Sequence, residues 1–233
     1  MLADPSTPDV SARLYIFGVG NFADMAHYLF TTDSAYEVVG FTVDAGYLTC
    51  DTFNGLPVVP YEELIRTADR DGVAIFVAIG VSGINQARAL KVAQVQADGF
   101  RLASFISSHA RVAQGLVVQP NTMVMDQVNI HPKVRIGANV VVWSNSRIAL
   151  NVQLGDHVWI TSAVIGDGTS IGDYTFVGLN ATIAPFLRVG RHNLIGAAAV
   201  ILQDTRDHEI YRGPRSVASK VSTLRLRKRA LIR

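Results

Sequence analysis

The sequence predicts an α/β unit with a parallel sheet, followed by a three-sided parallel β-helix of about five coils. Two observations carry this prediction. Strand-like and helix-like segments alternate in the first half of the chain, and an aliphatic residue recurs every six positions in the second half. We therefore expect a disordered N-terminus at 1–12, an α/β domain at 13–108, a β-helix at 109–203, and a post-coil segment with a basic tail at 204–233.

The composition excludes several classes of protein. Hydrophobic residues make up 49% of the 233 residues, which is enough for a sizeable core. The single cysteine, Cys50, cannot form an internal disulfide or a cysteine-based zinc site, and no His cluster has metal-ligand spacing. Because the sequence also lacks a long apolar run and a signal-peptide layout, we expect a soluble cytoplasmic protein without membrane insertion and without a bound metal.

The first half alternates between short apolar strands and helical stretches. Strands are predicted at 13–17, 36–43, 73–79 and 101–106, and helices at 22–30, 61–68 and 84–98. Strands that alternate with helices favour a parallel sheet with right-handed crossovers.

The predicted strand ends carry residues suited to ligand binding. In a parallel sheet, ligands bind beyond the carboxyl ends of the strands. Gly18, Gly20 and Asn21 form a turn after the first strand, Asp44 closes the second, and Gly80 follows the third. A glycine turn before a helix can receive phosphate, and a carboxylate can accept hydrogen bonds from a ribose or a base. The alternative is that these glycines only make the turns.

The second half has a period of six residues. The repeat runs through Val112, Val118, Val124, Ile130, Ile136, Val142, Ile148, Leu154 and Ile160, then slips by one residue and continues through Ile165, Ile171, Val177, Ile183, Val189, Ile195 and Ile201. Helices (3.6) and ordinary strands (2) have other periods. A solenoid with three flat faces produces this one, because each face places one aliphatic residue inward. The slip then has to lie at a corner.

Hexads such as RIGANV and SIGDYT, placed after an α/β unit with a glycine turn, resemble those of the left-handed parallel β-helix acyltransferases. The resemblance covers about residues 13–216. It is nearest to the sugar-modifying type, the sialic acid O-acetyltransferases and bacillosamine N-acetyltransferases. It implies a Rossmann-like domain that binds a nucleotide-sugar, acetyl-CoA bound as co-substrate along the coils, and a homotrimer with active sites between neighbouring β-helices.

The resemblance also implies site residues. Gly18, Gly20, Asn21, Asp44 and Gly80 correspond to nucleotide-sugar contacts. The segments FVGLNATI and LIGAAAVIL resemble those that face acetyl-CoA, which implicates Gly178, Leu179, Gly196 and Ala197.

The chain departs from the family pattern at the expected base. Leu150 stands where the family has a catalytic histidine, and Asn151 stands where its polar neighbour would be. Leucine cannot take a proton. The catalytic candidates are therefore Asn151 and His157, with His157 as a displaced base on the next coil or, alternatively, an exposed corner residue. Two functions remain open: an acetyltransferase for a nucleotide-linked amino sugar in surface-polysaccharide biosynthesis, or a catalytically silent homologue that binds a nucleotide-sugar or acts as a scaffold.

The C-terminal tail is basic. It contains Lys220, Arg225, Arg227, Lys228, Arg229 and Arg233 and no acidic residue. A nucleic-acid-binding arm is one interpretation. Because no aromatic residue lies within the stretch, we favour a solvated or subunit-contacting tail and expect no nucleic-acid partner.

Overall fold

The computed structural model describes residues 12–226. Its N-terminal part is a six-stranded sheet with strand order β3-β4-β2-β1-β5-β6, parallel except for the β3–β4 hairpin. The strands are β1 (Arg13–Phe17), β2 (Glu37–Val43), β3 (Thr52–Phe53), β4 (Leu56–Pro60), β5 (Val73–Val77) and β6 (Arg101–Leu102). The helices are α1 (Asn21–Thr32), α2 (Tyr61–Thr67) and α3 (Gln86–Ala97), with a short 3-10 turn at Ala45–Tyr47.

Both faces of this sheet are covered. On one side, α2 and α3 pack through residues such as Tyr61, Val92 and Val95. On the other side, Phe22 and Phe30 of α1 join a core that the β-helix completes. The near-continuous apolar runs of β1 and β5 follow from this burial on both faces.

The second part is a prism of three parallel sheets. The seven-stranded face contains β7 (Phe105–Ile106), β9 (Met123–Val124), β12 (Val141–Val142), β15 (Trp159–Ile160), β18 (Phe176–Val177), β21 (Leu194–Ile195) and β23 (Ile210–Tyr211). The six-stranded face contains β8 (Arg111–Val112), β10 (Asn129–Ile130), β13 (Arg147–Ile148), β16 (Val164–Ile165), β19 (Thr182–Ile183) and β22 (Val200–Ile201). The four-stranded face contains β11 (Arg135–Ile136), β14 (Gln153–Leu154), β17 (Ser170–Ile171) and β20 (Arg188–Val189).

The period-six residues form the core of this prism. Val124, Val142, Ile160, Val177 and Ile195 pair successively along one face, and the other faces repeat the arrangement. These observations confirm the fold class that the sequence predicts, an α/β domain followed by a left-handed parallel β-helix.

The one-residue slip lies at a corner, as predicted. The turn between Ile160 and Ile165 is one residue shorter than the others, and Ser162 takes the left-handed conformation there (φ 44°). The strands on either side, β15 and β16, keep their register with the neighbouring coils. The shortened turn therefore leaves the aliphatic column intact.

The division between the two parts differs from the sequence-based boundaries. The predicted strand at 101–106 is split, since Arg101–Leu102 pairs with β5 whereas Phe105–Ile106 pairs with β9 of the prism. The prism thus begins before residue 109, and its last strand, Ile210–Tyr211, lies beyond residue 203. The β3–β4 hairpin is absent from the sequence-based prediction, because β3 has only two residues and prolines at 57 and 60 break the apolar run of β4.

Both ends of the chain lie largely beyond the described range. The disordered N-terminus predicted at 1–12 lies outside the described residues except for its last member. A short helix, α4 (Thr223–Leu226), ends the described chain. The basic residues from Arg227 onward lie outside it.

Candidate active site

The carboxyl ends of β1, β2 and β5 lie side by side and carry the predicted substrate residues; we call this end of the sheet the crevice, because a ligand-binding crevice is expected where the strand order reverses. In the sheet, β2 lies on one side of β1 and β5 lies on the other. The strand order therefore reverses at β1, which is where ligands bind in parallel sheets. Gly18 has a φ of +126°, its N–H donates to the Thr42 carbonyl over 2.8 Å, and a Cβ on it would lie 3.0 Å from the Ala78 carbonyl oxygen. Gly18 is therefore required by the turn itself.

Gly20 and Gly80 leave open space at the same end of the sheet. A Cβ on either glycine would meet no atom within 4 Å. Gly20 is the N-cap of α1 and supplies no capping side chain, and Asn21 is the first helical residue. The N–H groups of the first turn of α1 are thus left without a side-chain cap beside the crevice.

Asp44 is already paired with a lysine that the sequence did not single out. The Lys91 ammonium lies 2.6 Å from Asp44 Oδ1 and 4.8 Å from the centroid of the Phe17 ring. Lys91 comes from α3, 47 positions further along the chain. The pair orients the Asp44 carboxylate and adds a positive charge at the end of β2.

The four predicted cofactor residues lie together at one edge of the prism. We call the turns that lead from the seven-stranded to the six-stranded face the Gly178 edge. A Cβ on Gly178 would lie 2.8 Å from Ala197 N, and one on Gly196 would lie 2.9 Å from the Tyr211 carbonyl oxygen. The Leu179 side chain is 51% exposed. Close stacking of the coils explains both glycines without a ligand, and Leu179 and Ala197 beside them are exposed.

The α1 end of the crevice approaches this same side of the prism. The Phe22 ring, two residues after Gly20, packs 4.9 Å from the Trp159 ring and 6.2 Å from the Trp143 ring. Trp143 opens a turn of the Gly178 edge two coils before Gly178 itself. The start of α1 therefore packs against the seven-stranded face beside the Gly178 edge.

Leu150 and Asn151 occupy a second edge, between the six-stranded and four-stranded faces. Leu150 is 40% exposed, and its N–H donates to Asp167 Oδ1 over 3.0 Å. Asn151 is exposed and left-handed (φ 62°). In the corresponding turn of a later coil, Phe186 is 79% exposed. Leu150 thus presents an aliphatic surface where the resemblance predicts a base.

His157 lies at the third edge, between the four-stranded and seven-stranded faces. The two predicted catalytic residues, Asn151 and His157, are consequently not brought together within one chain. His157 belongs to a column of left-handed corner residues, one from each coil: Asn121, Asn139, His157, Tyr174, His192 and His208. Ring centroids along the last four are 4.5, 4.5 and 4.8 Å apart. His157 is half-buried rather than fully exposed at its corner.

Hydrogen bonds fix the tautomer of His157. Arg88 Nε and Asn121 Nδ2 both donate to Asn139 Oδ1, over 2.9 and 2.8 Å. Asn139 Nδ2 must therefore be the donor to His157 Nδ1, 2.9 Å away. In the neutral ring the proton is on Nε2. Burial lowers the pKa of His157, and the Arg88 charge adds to this effect while Asp156 opposes it.

This geometry does not suit a general base. A base needs an unprotonated nitrogen directed at the acceptor. In His157 that nitrogen is occupied by Asn139, and the remaining one carries a proton. The cleft beside His157, about 600 Å³, lies between α3 and the third edge and is lined by Gln86, Leu90, Ala93, Asp156, His157 and Tyr174 among others. None of the predicted substrate or cofactor residues lines it.

The fold and the repeat define a protein built on the hexapeptide-repeat left-handed β-helix. Residues 115–149 match the family model described as bacterial transferase hexapeptide (six repeats). The chain is 24% identical over 131 residues to the acyl-[acyl-carrier-protein]–UDP-N-acetylglucosamine O-acyltransferase of Burkholderia orbicola. This alignment covers 55% of this chain and 44% of that protein. It is 24% identical over 127 residues to serine acetyltransferase 4 of Arabidopsis thaliana, covering 50% and 36%. The chain thus spans less than half the length of these curated relatives.

Solved structures match almost the whole chain. The acetyltransferase domain of PglB from Neisseria gonorrhoeae, in complex with acetyl coenzyme A, has a TM-score of 0.79 at 23% identity and covers 87% of this chain and 97% of its own. A mutant perosamine N-acetyltransferase from Caulobacter crescentus, in complex with CoA and GDP-perosamine, has a TM-score of 0.67 at 22% identity and covers 89% and 97%. These likenesses establish the fold shared by both parts of the chain.

Within residues 12–226, no group of three or more His, Cys, Asp or Glu side chains could hold a metal ion. No helix described there is both long enough and apolar enough to cross a membrane.

Proposed function

We propose that this protein transfers an acetyl group from acetyl-CoA to a nucleotide-linked amino sugar, a reaction suited to surface-polysaccharide biosynthesis. The observation that carries the proposal is the pairing, in one chain, of an uncapped helix start and unobstructed glycines at the β1, β2 and β5 ends with a hexapeptide β-helix. The solved structures that share both parts include one bound to acetyl coenzyme A and one bound to CoA and GDP-perosamine.

The crevice supports a nucleotide-sugar in three ways. The uncapped start of α1 suits a phosphate, and the Lys91 ammonium adds positive charge. Asp44, oriented by Lys91, can accept hydrogen bonds from hydroxyl or N–H groups of the nucleoside. Gly20 and Gly80 leave the space that such a ligand needs. Asn21 lies at the same helix start.

The Gly178 edge supports the cofactor. Gly178, Leu179, Gly196 and Ala197 lie in neighbouring turns, and we propose that acetyl-CoA extends along them. In the reaction, the neutral amine of the sugar attacks the thioester carbonyl and forms the C–N bond. The C–S bond then breaks, the thiolate leaves as CoA, and the ammonium proton passes to water or to the departing thiolate.

The absence of a base at Leu150 favours an amine over a hydroxyl acceptor. A positioned base contributes about 10²–10⁴-fold to a proton transfer, and proximity and backbone donors supply other parts of the acceleration. An amine that arrives neutral needs no deprotonation before attack, whereas a hydroxyl does. We therefore propose N-acetylation.

A homotrimer is part of the proposal. Six exposed apolar side chains lie on the six-stranded face and its two edges: Leu150, Val164, Leu179, Phe186, Val200 and Leu202. Apolar side chains concentrated on one side of a soluble domain favour subunit contact. A neighbouring copy there would bring its own residues to the Leu150 and Gly178 edges.

Thiol release tests the function. Purified protein is incubated with acetyl-CoA and UDP-, dTDP- or GDP-linked amino sugars, and free CoA is followed with a thiol reagent. Release that depends on one amino sugar, with the N-acetylated product identified by mass spectrometry, supports the proposal. The absence of thiol release with every member of the panel contradicts it.

A second function is supported by the lack of a general base: Leu150 cannot take a proton, and Nδ1 of His157 is occupied by Asn139. If catalysis has been lost, the protein is a binder or scaffold that retains the nucleotide-sugar crevice. Calorimetry then shows nucleotide-sugar binding, while thiol release stays at the background rate.

A further inference from the structure

Arg88 is a buried cation without an acidic partner. Its side chain has no exposed surface, and no carboxylate within residues 12–226 lies at ion-pair distance from it. Burial lowers the pKa of Arg88 to about 9. A charged side chain in the interior is costly unless its donors are satisfied, so the contacts of Arg88 show what it holds.

The guanidinium group joins the two parts of the molecule. From α3 it donates to the side chain and the carbonyl of Asn139 on the prism, over 2.9 and 3.2 Å. Nη1 also donates to the Ile79 carbonyl and to Asn85 Oδ1, over 3.4 and 3.3 Å. The Trp159 ring lies 4.8 Å below the guanidinium carbon. Arg88 therefore contacts both the prism and the loop at residues 78–85 that follows β5.

This loop has a backbone that needs support. Gly83, Ile84 and Asn85 all have positive φ values, of 60°, 52° and 65°. The left-handed conformation is unfavourable for a β-branched residue such as Ile84 and persists only where neighbours hold it. Asn85 is buried and donates to the Tyr174 carbonyl over 3.3 Å. The loop is therefore attached to the prism directly through Asn85 and indirectly through Arg88.

The same loop carries Gly80 at the crevice. The end of β5 is also tied to the prism, because Asn121 accepts from the Val77 N–H over 2.7 Å and donates to the Val77 carbonyl over 3.2 Å. Asn121 in turn donates to Asn139, the partner of Arg88. One network thus connects the β5 end of the crevice, the prism and the ring of His157.

We propose that Arg88 is a positioning residue. It holds the 78–85 loop, and with it the Gly80 side of the crevice, against the β-helix, and together with Asn121 it orients the Asn139 amide that fixes the tautomer of His157. The effect of Arg88 on substrate affinity rests on the proposed function. The structural role of Arg88 concerns the loop and the imidazole, and both can be measured without substrate.

The first test uses Arg88→Met and Arg88→Lys, with Arg66→Met as the control on the exposed side of α2. Hydrogen exchange of the amides at 79–87 is expected to rise at least about tenfold in Arg88→Met and less in Arg88→Lys, because methionine removes every donor and lysine keeps the charge. The control is expected to match the wild type. Unchanged exchange in Arg88→Met overturns the proposal.

The second test reads the imidazole directly. In ¹⁵N-histidine-labelled protein, long-range ¹H–¹⁵N spectra should show His157 with Nδ1 unprotonated in the wild type. Asn139→Asp replaces the donor to Nδ1 with an acceptor, so the proton should move to Nδ1. Because Asn121 Nδ2 also donates to Asn139 Oδ1, a mixture of tautomers should appear when Arg88→Met is combined with Asn121→Ala, which removes both donors. A wild-type ring protonated on Nδ1 overturns the proposed link to His157, and this measurement needs no variant that might fail to fold.

The third test links the loop to the substrate. In the thiol-release assay, Arg88→Lys should raise the KM for the nucleotide-sugar about tenfold while kcat changes less than about twofold. If the wild type releases no thiol, the proposed function fails. The hydrogen exchange at 79–87 and the tautomer of His157 still test the proposed role of Arg88. If the wild type is active and Arg88→Lys keeps its KM, the link to the crevice is wrong.

Discussion

The imidazole rings of His192 and His208 stack in parallel on successive coils, with centroids 4.8 Å apart and planes 10° from each other. Charging both rings would place two cations face to face at one corner of the prism. The stack therefore favours a neutral His192 ring and makes the stability of the prism depend on pH.

The first prediction concerns this dependence. Burial lowers the pKa of His192 below 6.5, and the neighbouring His208 and Arg191 add to the effect. The unfolded chain then takes up protons before the folded chain does, so stability is lost as pH falls through 6.5. We expect the unfolding temperature to drop between pH 7.5 and 5.5, and His192→Asn to reduce that drop. His131→Asn, at another edge, is the control. An equal pH dependence in His192→Asn and the wild type would contradict this account.

The second prediction separates turn glycines from site glycines. Gly18→Val should unfold the protein at lower temperature, because φ is +126° and the added Cβ meets the Ala78 carbonyl. Gly20→Val should keep most of the stability, since its φ is −102° and the space is open. Its nucleotide-sugar affinity should fall at least about tenfold, because the new side chain occupies the crevice. Calorimetric titration and thermal unfolding check both variants. Wild-type affinity in Gly20→Val would place the ligand elsewhere.

A third prediction restores the missing base. If the acceptor amine reaches the Leu150 edge, Leu150→His should increase thiol release, since a positioned base contributes about 10²–10⁴-fold. Leu90→His, which places an imidazole on an exposed position of α3, should leave the rate unchanged. A rate that does not respond to Leu150→His would mean that the acceptor binds away from this edge.

The fourth prediction concerns coil stacking. A Cβ on Gly178 would lie 2.8 Å from Ala197 N and 2.8 Å from the Ile195 carbonyl oxygen. We expect Gly178→Ala to lower the free energy of unfolding by about 1–3 kcal/mol, the usual range for an overpacked site. Gly46→Ala, where an added Cβ meets nothing within 4 Å, serves as the matched control. Urea unfolding compares the two, and equal stabilities would show that the coils can separate locally.

A fifth prediction tests the pairing of Asp44 with Lys91. Lys91→Met removes the ammonium that contacts Asp44 Oδ1 and the Phe17 ring. The nucleotide-sugar KM should rise about tenfold with little change in kcat, because the pair binds and orients but takes no part in acyl transfer. Steady-state kinetics with Glu63→Gln, an exposed charge change on α2, provides the comparison. A fall in kcat at constant KM would assign Lys91 a role in the chemical step instead.

The candidate site was predictable where it depends on position in the repeat or at a strand end. Gly18, Gly20 and Gly80 follow strands that the sequence shows clearly, and Gly178 and Gly196 occupy equivalent places in successive coils. Lys91 and Arg88 gave no such signal. Each looks like an ordinary helix cation in the sequence, and its partner lies 47 or 51 positions away.

The prism can be predicted from the sequence alone, since a period of six is a local pattern and each coil repeats the contacts of the one before it. The α/β unit and the corner at which the repeat slips are equally predictable. The division of the two parts within 101–106, the edge that each candidate residue occupies and the protonated nitrogen of His157 become known only from the folded chain. Those features depend on contacts between distant segments, whose geometry no local pattern encodes.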